Sequence, residues 1–388
     1  MNAPVTAPAI STSEIATALI RGTVPAAWAG CEAPAAALGA VAEAPGATPT
    51  VDLAAAARAV MHREVGPAVH PRGLIEFSNI CDRGCFYCGI RRGSPGTRYT
   101  LSEEQIIRAA RRSFQAGYGS MTLQAGERRD REFLDFLVAV LRRIKRETRS
   151  PELPEGLGIT LSVGEQSREE YERLYEAGAH RYLLRIETSD PELFARLHPP
   201  GQRFDRRLRA LGDLKEIGYQ VGTGVMIGVP GQDEGSLARD VEFFREIDAD
   251  MIGMGPYLEP REPVAALMKE RGLAPAPPPD ERLRLSLRMI AITRIVLRDV
   301  NIAATTALEV LAPGSRESAL AHGANVLMPI LTPRRRRGGY ELYRGKAGVT
   351  DAVPVAAAGG AVRVAGRPVT RNGWGDAPHA TRDKESSG

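Results

Sequence analysis

Three cysteines lie within eight positions of one another in this chain of 388 residues, and their spacing points to chemistry. Cys81, Cys85 and Cys88 form a C-x3-C-x2-C motif, which is a poor framework for disulfides and is typical of metal ligands. Iron–sulfur clusters are normally held by four cysteines, so three thiolates would leave one iron of a [4Fe-4S] cubane open. The motif therefore predicts such a cluster with a free coordination site.

An open iron suits a ligand that presents an amine and a carboxylate together, as the methionyl end of S-adenosylmethionine (SAM) does. Electron transfer from a reduced cluster would then split the sulfonium and release a 5′-deoxyadenosyl radical. The alternative is a structural zinc site in which His70 joins the three cysteines, although this cysteine spacing is unusual for zinc. The fourth cysteine, Cys31, stands alone in an Ala-rich stretch and is interpreted as a small hydrophobic residue.

The elements that must position this motif alternate between short apolar runs and amphipathic segments from Gly73 onward. Strands that alternate with helices predict parallel pairing and right-handed crossovers. Eight of them fit an α/β fold with a closed (β/α)8 TIM-type barrel better than an open doubly wound sheet. The open sheet would carry a Gly-rich phosphate turn after its first strand, where this chain has cysteines. The predicted strands span residues 73–79, 120–126, 158–163, 181–187, 219–228, 250–255, 301–306 and 324–329.

Capping residues and glycines predict where the helices begin and end. Thr100-x-x-Glu103 and Ser167-x-x-Glu170 both have the spacing of a capping box at a helix N-terminus. Helices are expected to close on glycines in the left-handed conformation at three positions, Gly117, Gly178 and Gly218.

Composition divides the chain into three parts. Residues 1–50 are rich in Ala and Pro and predict a loosely ordered extension with one short helix near residues 13–21. Residues 51–333 predict the barrel. Residues 334–388 predict a short C-terminal extension with a disordered end, in which the four arginines of residues 334–337 are interpreted as a solvated face.

Charge and hydropathy exclude several classes of protein. The net charge of +4 is small for this length and argues against bulk nucleic-acid binding. No apolar run reaches the roughly 18 residues that a transmembrane helix needs. The N-terminus lacks the basic segment and apolar core of a secretory signal. We therefore expect a cytoplasmic enzyme that acts without nucleic-acid or membrane partners.

Several motifs, in order along the chain, resemble one branch of the radical SAM superfamily. The resemblance covers about residues 66–345 and is to the [FeFe]-hydrogenase maturases of the HydE family, with biotin synthase and methylornithine synthase as relatives. It implies a [4Fe-4S] cluster and SAM as cofactors, and a 5′-deoxyadenosyl radical that abstracts hydrogen from the substrate. The motifs are IEFSNICDRGCFYCGIRRG, LQAGE, LSVGE, RYLLRIET, GVMIGVPGQ, AATTA and GANVLMPILTP.

Candidate site residues stand at the carboxyl ends of the expected strands, where barrels carry their chemistry. Tyr87 would cover the cluster or the adenine of SAM, and the segment from Gln124 to Glu127 would meet the methionyl amine. Arg185 and Glu187 are one in–out period apart, so both can point into the barrel. Glu187 would bind ribose hydroxyls or the amine, and Arg185 would bind SAM or the substrate. A buried ion pair without a ligand is the alternative for these two.

The resemblance adds candidates on later strands. Arg207 matches a position that reaches the SAM carboxylate, which the fork of an arginine suits, and Met226 lies near the expected adenine site. Thr305 and Thr306 would donate hydrogen bonds to a substrate anion, although strand propensity alone also explains threonines there. Tyr340 is a further candidate for the substrate site.

This sequence departs from the HydE pattern in three respects. Arg336 stands about where HydE proteins have a Tyr after a Thr-Pro dipeptide, and Ile186 replaces their usual His. The C-terminal cysteines that hold a second cluster in some HydE proteins are absent, and the resemblance implies that this second cluster is dispensable.

Three functions follow as hypotheses. The first is a HydE-like maturase that acts on a small-molecule or iron-bound cysteine-derived substrate, with HydF, HydG and an electron donor as partners. The second is a methylornithine synthase-like enzyme or another small-molecule radical SAM mutase. The third, of a different class, is a non-catalytic barrel that binds zinc. Biotin synthase is disfavoured because no cysteine follows Cys88 to supply further cluster ligands.

Overall fold

The N-terminal elements pack against the rest of the molecule in the computed structural model, which describes residues 9–30, 39, 48–349 and 363–385. Ser11 and Glu14 form a capping box at the start of the first helix, and Gly22 ends it in the left-handed conformation. These elements are α1 (Thr12–Arg21), β1 (Thr23–Pro25), a short 3-10 helix (Ala26–Ala29), β2 (Thr50–Asp52) and α2 (Leu53–Glu64).

The helix expected near residues 13–21 is confirmed by α1, but the expectation of loose order is wrong for residues 22–30. β1 pairs with β2 in an antiparallel ladder, and Trp28 is buried. Leu19 of α1 is fully buried as well. A few apolar side chains thus anchor a segment whose overall Ala and Pro content indicated little structure. Cys31 lies outside the described residues, and the division of the chain at residues 50 and 333 stays a prediction.

Eight parallel strands form a closed barrel, which confirms the predicted TIM-type fold. Each strand pairs with the next barrel strand along the chain, and the last pairs with the first. The barrel strands are β3 (His70–Ser78), β4 (Ser120–Ala125), β5 (Gly158–Ser162), β6 (Arg181–Leu183), β7 (Gln220–Thr223), β9 (Met251–Ile252), β11 (Asn301–Ala304) and β12 (Val326–Leu327). Beyond the ends of β7 and β9, the short strands β8 (Met226–Ile227) and β10 (Gly255–Pro256) form a second parallel pair.

Helices follow the barrel strands, and none in the described ranges is long and apolar enough to cross a lipid bilayer. The glycines expected to end helices are confirmed in the left-handed region, with φ of 80°, 110° and 102° at Gly117, Gly178 and Gly218. The helices are α3 (Glu103–Gln115), α4 (Arg131–Glu147), α5 (Arg168–Glu176), α6 (Pro191–Leu197), α7 (Phe204–Ile217), α8 (Glu234–Glu246), α9 (Val264–Glu270), α10 (Pro279–Leu297), α11 (Thr306–Leu311), α12 (Ser315–Ala321), α13 (Arg334–Arg337) and α14 (Pro378–Glu385).

One of the two predicted helix starts is wrong. The capping box of α3 is formed by Ser102 and Gln105 rather than by Thr100 and Glu103. Thr100 is held in an extended bridge to Ser78, with 2.8 Å between the two hydroxyl oxygens, so the chain is free to turn only after it. The side chain of Ser167 does accept the backbone N–H of Glu170, as its spacing predicted.

The C-terminal segment closes the amino end of the barrel. Arg181, at the start of β6, is fully buried, and its Nη1 lies 2.6 Å from Asp376 Oδ1. Arg72 of β3 donates to the carbonyl oxygen of Gly375 at 2.8 Å. The two arginines project into the barrel from its amino end, so the tail supplies the polar partners that this end of the barrel requires.

The expectation of a disordered C-terminal end is wrong for residues 379–385, which belong to α14. His379 fixes this helix, because its Nε2 lies 2.8 Å from Asp248 Oδ1 and its Nδ1 lies 3.3 Å from Asp299 Oδ1. The same extension carries a small antiparallel hairpin of β13 (Arg363–Val364) and β14 (Arg367–Pro368).

Candidate active site

The cysteine loop, residues 79–102, leaves β3 at its carboxyl end and leads to α3. Backbone hydrogen bonds tie it to the end of α6 and to the C-terminal extension. The N–H of Phe86 donates to the carbonyl of Leu197 at 2.9 Å, and the N–H of Gly89 donates to that of Leu342 at 2.7 Å. The loop carries three thiols that are all free and partly buried, Cys81, Cys85 and Cys88.

Two further contacts fix the shape of this loop. Arg98 donates to four of its backbone carbonyls at 2.8 to 2.9 Å. Gly126, just after β4, allows the neighbouring strand to approach the loop. A methyl group on Gly126 would lie 2.3 Å from the carbonyl oxygen of Ile80 and 2.6 Å from the Cβ of Cys81. The first cysteine is therefore positioned by a glycine on the next strand.

Burial raises the pKa of all three thiols, and that of Cys85 reaches about 11. Cys85 Sγ lies 3.4 Å from Gln202 Oε1, a residue that the sequence did not single out. A bound metal centre reverses this preference, because a coordinating thiol is deprotonated outright. Without a metal the raised pKa values favour neutral thiols, and a bound metal centre would deprotonate them.

The zinc site in which His70 would join the three cysteines is not formed, because His70 lies at the other end of β3. In the described part of the chain, no three Cys, His, Asp or Glu side chains converge as the ligands of a single ion must. In a cubane each thiolate binds a different iron, so the three sulfur atoms need not converge. His70 lies at the amino end of β3, where its Nδ1 is 3.1 Å from Thr370 Oγ1. It stands at the opposite end of the strand from the cysteines.

The Tyr87 ring is held beside the cysteines by a histidine. Its hydroxyl lies 3.2 Å from His198 Nε2, and the two rings meet edge to face. Burial raises the pKa of Tyr87 well above its usual value, and the nearby charges of Cys85 and Glu187 raise it further. His198 was missed because it is 111 positions away in sequence, with no spacing signal to mark it.

Glu127 is bound by two arginines. Arg83 Nε donates to its Oε1 at 2.6 Å, and Arg129 Nη2 lies 2.9 Å from the same oxygen. This carboxylate therefore joins the cysteine loop to the end of β4. Any amine that binds here meets a carboxylate already engaged with guanidinium groups.

Glu165 occupies the equivalent place after β5 and was missed as a site residue. Arg207 Nε donates to it at 2.7 Å, and Arg129 Nη2 lies 3.1 Å away. Burial opposes ionisation, but the neighbouring arginines keep the pKa of Glu165 below its usual value. The sequence did contain a signal for Glu165, because the motifs LQAGE and LSVGE both place a Gly-Glu dipeptide at the end of an expected strand.

Arg185 and Glu187 form an ion pair, with 3.0 Å between Nη2 and Oε2. Strand β6 ends at Leu183, so Arg185 and Glu187 are not related by the in–out alternation of a strand. The ion pair brings their side chains together. Glu187 has φ of 69°, an uncommon conformation for a residue other than glycine and one found at functional sites. Arg185 Nε is buried without a hydrogen-bond partner, so the ion pair alone does not satisfy this guanidinium.

The two threonines have different environments. The Thr305 hydroxyl is buried without a hydrogen-bond partner and does not cap α11. Gly255 packs against it so closely that an added methyl group there would lie 2.5 Å from Thr305 Oγ1. Thr306 is the buried first residue of α11. Of the pair, Thr305 is therefore the one whose hydroxyl oxygen is buried without a hydrogen-bond partner.

The remaining candidates line the same end of the barrel. Gln124 lies at the carboxyl end of β4 and is partly exposed. Met226 belongs to a small apolar cluster that includes Phe86 of the cysteine loop. Tyr340 is buried, and its pKa is raised by burial and then by the nearby charge of Cys88. The fold thus brings these side chains to the mouth that carries the cysteines.

A buried ion pair from the C-terminal extension was not anticipated. Lys346 pairs with Glu76 of β3, and both side chains are almost inaccessible to solvent. Thr332 Oγ1 accepts the N–H of Glu76 at 2.9 Å. The Lys346 ammonium also lies 5.1 Å from the centre of the Tyr340 ring.

Arg334 and Arg335 of α13 are exposed, as a solvated face predicts. That interpretation is wrong for the other two arginines, because Arg337 donates to three backbone carbonyls and Arg336 lies over the Tyr99 ring with its Nε buried.

Similarity to known proteins agrees with this site. A model of the radical SAM superfamily matches residues 75–244. The [FeFe] hydrogenase maturase subunit HydE of Thermotoga maritima is 42% identical over 290 residues, which cover 74% of this chain and 77% of that protein. The chain therefore belongs to the radical SAM superfamily of enzymes. Within that superfamily it is similar to the HydE maturase subunit.

Two further similarities concern methylornithine synthase. The 3-methylornithine synthase of Methanosarcina acetivorans is 28% identical over 292 residues, which cover 74% of this chain and 76% of that protein. The crystal structure of methylornithine synthase (PylB) superimposes with a TM-score of 0.60 at 26% identity, covering 71% of this chain and 76% of that one. The barrel is thus shared across this branch.

Proposed function

We propose that Cys81, Cys85 and Cys88 hold a [4Fe-4S] cluster whose open iron binds the amine and carboxylate of SAM. When bound, the cluster supplies the electron that cleaves SAM reductively into methionine and a 5′-deoxyadenosyl radical. The observation that carries this proposal is the set of three free thiols in the first βα loop of a closed barrel. Free thiols also suit the reducing cytoplasm, where we place the enzyme.

The neighbouring charges would orient SAM. Arg207 and Glu127 stand on either side of Glu165 in one network of arginines and carboxylates. The carboxylate of SAM would take up Arg207, which an arginine fork suits, and its amine would meet Glu127. The amine and carboxylate of SAM would thus replace partners in ion pairs that already exist. These side chains therefore carry little unpaired charge before SAM binds.

The adenosyl end would lie over the other side of the cysteine loop. Tyr87 and Met226 offer aromatic and thioether surface for the adenine, and Tyr87 is held in place through its hydroxyl. Glu187 would accept the ribose hydroxyls. Its φ of 69° takes the backbone out of the extended conformation at this residue.

The substrate would bind deeper in the barrel. Arg185 Nε and the Thr305 hydroxyl are buried polar atoms without partners, and both donate. Two unsatisfied donors suit a carboxylate or another small anion. Gln124 and Tyr340 would line the same space, while Thr306 is one position further along the chain at the start of α11.

We infer that the reaction belongs to [FeFe]-hydrogenase maturation, on the strength of the 42% identity to HydE. The substrate would be a small or iron-bound cysteine-derived molecule, consistent with the two unsatisfied donors. HydF and HydG would be its partner proteins, together with an electron donor. Methylornithine synthase-like chemistry is less favoured because those relatives reach only 28% identity. The zinc-binding barrel is disfavoured because His70, its expected fourth ligand, lies at the opposite end of β3 from the cysteines.

The test is anaerobic reconstitution with iron and sulfide, reduction, and electron paramagnetic resonance with and without SAM. We expect a cubane signal that shifts on SAM addition, with 5′-deoxyadenosine as product. Cys85→Ala should lose both the signal and the product, whereas Cys31→Ala should keep both. A protein that takes up zinc but no cluster, or a cluster signal unchanged by SAM, would contradict the proposal.

A further inference from the structure

A groove between α3 and α13 is lined by four arginines on the outside of the barrel. Arg108 and Arg112 lie one turn apart on α3, and Arg334 and Arg335 belong to α13. All four side chains are exposed, and the groove has a volume of about 380 Å³. None of its described lining residues comes from the cysteine loop. We call this feature the arginine groove, and it is separate from the candidate active site.

The charges of the arginine groove are not neutralised by the chain itself. None of the four arginines forms an ion pair or a side-chain hydrogen bond within the described ranges. Glu104 is placed for an i,i+4 pair with Arg108, but Arg143 binds it instead at 2.5 Å. The neighbouring Arg111 is paired with Glu147 at 2.7 Å. Like charges one helical turn apart destabilise a helix, so folding alone does not account for this group.

The chemistry of the groove favours a peptide with several carboxylates. The planar fork of an arginine matches a carboxylate, and arginines from two elements can bind carboxylates on both sides of one segment. The lining between the charges is apolar and includes Ala109, Leu331 and Pro333, which suits an apolar side chain among the acidic ones. Single-stranded nucleic acid is usually held by aromatic stacking as well, and none of the described lining residues is aromatic.

We propose that the arginine groove docks a partner protein through an acidic peptide segment that carries an apolar side chain. The carboxylates of the segment pair with α3 on one side and α13 on the other, while the apolar side chain lies against Leu331 and Pro333. The inference goes beyond the proposed function and does not depend on it, because the groove shares no residue with the candidate active site.

The experiment neutralises the two sides of the groove separately. One variant combines Arg108→Gln with Arg112→Gln, and the other combines Arg334→Gln with Arg335→Gln. Binding to the reconstituted full chain is measured by fluorescence anisotropy at low and high salt. The probe is a labelled peptide, Glu-Glu-Leu-Glu-Glu-Leu-Glu-Glu. The comparison probes are the same peptide with Gln for Glu, the same peptide with Ser for Leu, and an oligouridine RNA of equal length.

The matched control combines Arg142→Gln with Arg146→Gln. These two arginines are also exposed, lie four residues apart on one helix, α4, and form no ion pair within the described ranges. They do not line the groove, so the control changes the net charge equally without altering the proposed binding site.

We expect the wild type to bind the acidic peptide at low salt and each groove variant to lose about tenfold or more in affinity. Salt should weaken binding because it screens exposed charges. Both altered peptides should bind more weakly, and the α4 control should bind like the wild type. The melting temperature of each groove variant should stay the same or rise, since repulsion between arginines is relieved, so a loss of binding cannot be ascribed to unfolding.

No binding of the acidic peptide to the wild type, unchanged affinity in both groove variants, or an equal loss in the α4 control would overturn the proposal. Tighter binding of the RNA through the same arginines would also overturn it and would assign the groove to nucleic acid. A dimer of this chain that is lost in the groove variants would assign it to a second copy instead. SAM cleavage with dithionite is measured in parallel, and its absence in the wild type would count against the proposed function alone.

Discussion

At the scale of single residues, polar atoms without partners are the features that point most directly to a ligand. A buried donor without a hydrogen bond costs a folded protein about 1–3 kcal/mol, so few are kept without a use. Thr305 Oγ1 and Arg185 Nε are two such atoms at the mouth of the barrel. A bound substrate that accepts from both would recover that cost.

Thr305→Val tests this interpretation. Because the hydroxyl has no partner, we expect the free energy of unfolding to stay the same or to rise, by up to about 1 kcal/mol. Substrate-dependent turnover should fall, while SAM cleavage without substrate should not. The control is Thr223→Val, which removes a hydroxyl that accepts the N–H of Ile186 at 3.1 Å and should destabilise the protein. Loss of stability in Thr305→Val as large as in the control would contradict the expectation.

Asp240 predicts a pH dependence of stability. Burial raises its pKa to about 7, and its Oδ1 accepts the N–H of Ser189 at 2.6 Å. Because the pKa is raised, the folded protein holds this proton more tightly than the unfolded chain does. The stabilisation is therefore fully present below the ordinary pKa near 3.8 and is lost as the pH rises through about 7. Asp240→Asn keeps the acceptor and cannot ionise. Its stability relative to the wild type should therefore rise by about 2 kcal/mol between pH 5.5 and 8.5, measured by urea unfolding.

The control for this pH dependence is Asp205→Asn, which changes an exposed carboxylate on α7 and should show no comparable trend. A stability difference between Asp240→Asn and the wild type that stays constant across these pH values would mean that Asp240 does not titrate there.

At the scale of elements, the cysteine loop depends on the close approach of the strand next to it. Arg98 fixes the loop internally, but only Gly126 lets the end of β4 pass beside Ile80 and Cys81. The ligand geometry is therefore a property of two neighbouring strands and the loop that links β3 to α3. The cysteine spacing alone does not create it.

Gly126→Ala should displace the loop, because its methyl group would lie 2.3 Å from a backbone oxygen that cannot move alone. We expect iron content after reconstitution to fall well below half of the wild-type value. Gly212→Ala is the matched control, since nothing lies within 4 Å of a methyl group there and the residue is inside α7. That change should stabilise the protein, by up to about 1 kcal/mol, and leave iron content unchanged. Normal iron in Gly126→Ala would show that the loop tolerates the shift.

At the scale of the whole molecule, the barrel is closed at one end by the tail and open at the other, where the cysteines lie. Arg181 and Arg72 project into the amino end and meet Asp376 and Gly375 of the C-terminal segment. A hydrogen bond from His180 and the charge of Arg181 hold the pKa of Asp376 well below its usual range despite its burial. The extension thus packs against the end of the barrel opposite the cysteines.

Asp376→Asn should leave the buried Arg181 charge without its anion and destabilise the protein by about 3–5 kcal/mol. Thermal and urea unfolding measure the effect. Cluster signal and SAM response should survive in the fraction that folds, since the change lies at the opposite end of the barrel from the cysteines. Unaltered stability would mean that water replaces the ion pair and that the tail does not seal this end.

The sequence by itself determined what depends on neighbours along the chain. The cysteine spacing, the alternation of apolar runs that marks eight strands, and the glycines that end helices are all local signals, and the structure bears out the barrel and the helix ends. The candidate residues at strand ends followed from the same pattern, because parallel strands in a barrel must bring their carboxyl ends to one mouth.

Only the tertiary structure decided which distant groups meet. Glu165 beside Arg207, His198 beside Tyr87, and Lys346 inside the mouth join segments far apart in the chain, so no spacing records them. The start of α3 moved to Ser102 for the same reason, since Thr100 is held by Ser78 across the loop. Burial and charge pairing depend on which surfaces the closed barrel brings together, and that is set by packing rather than by local order.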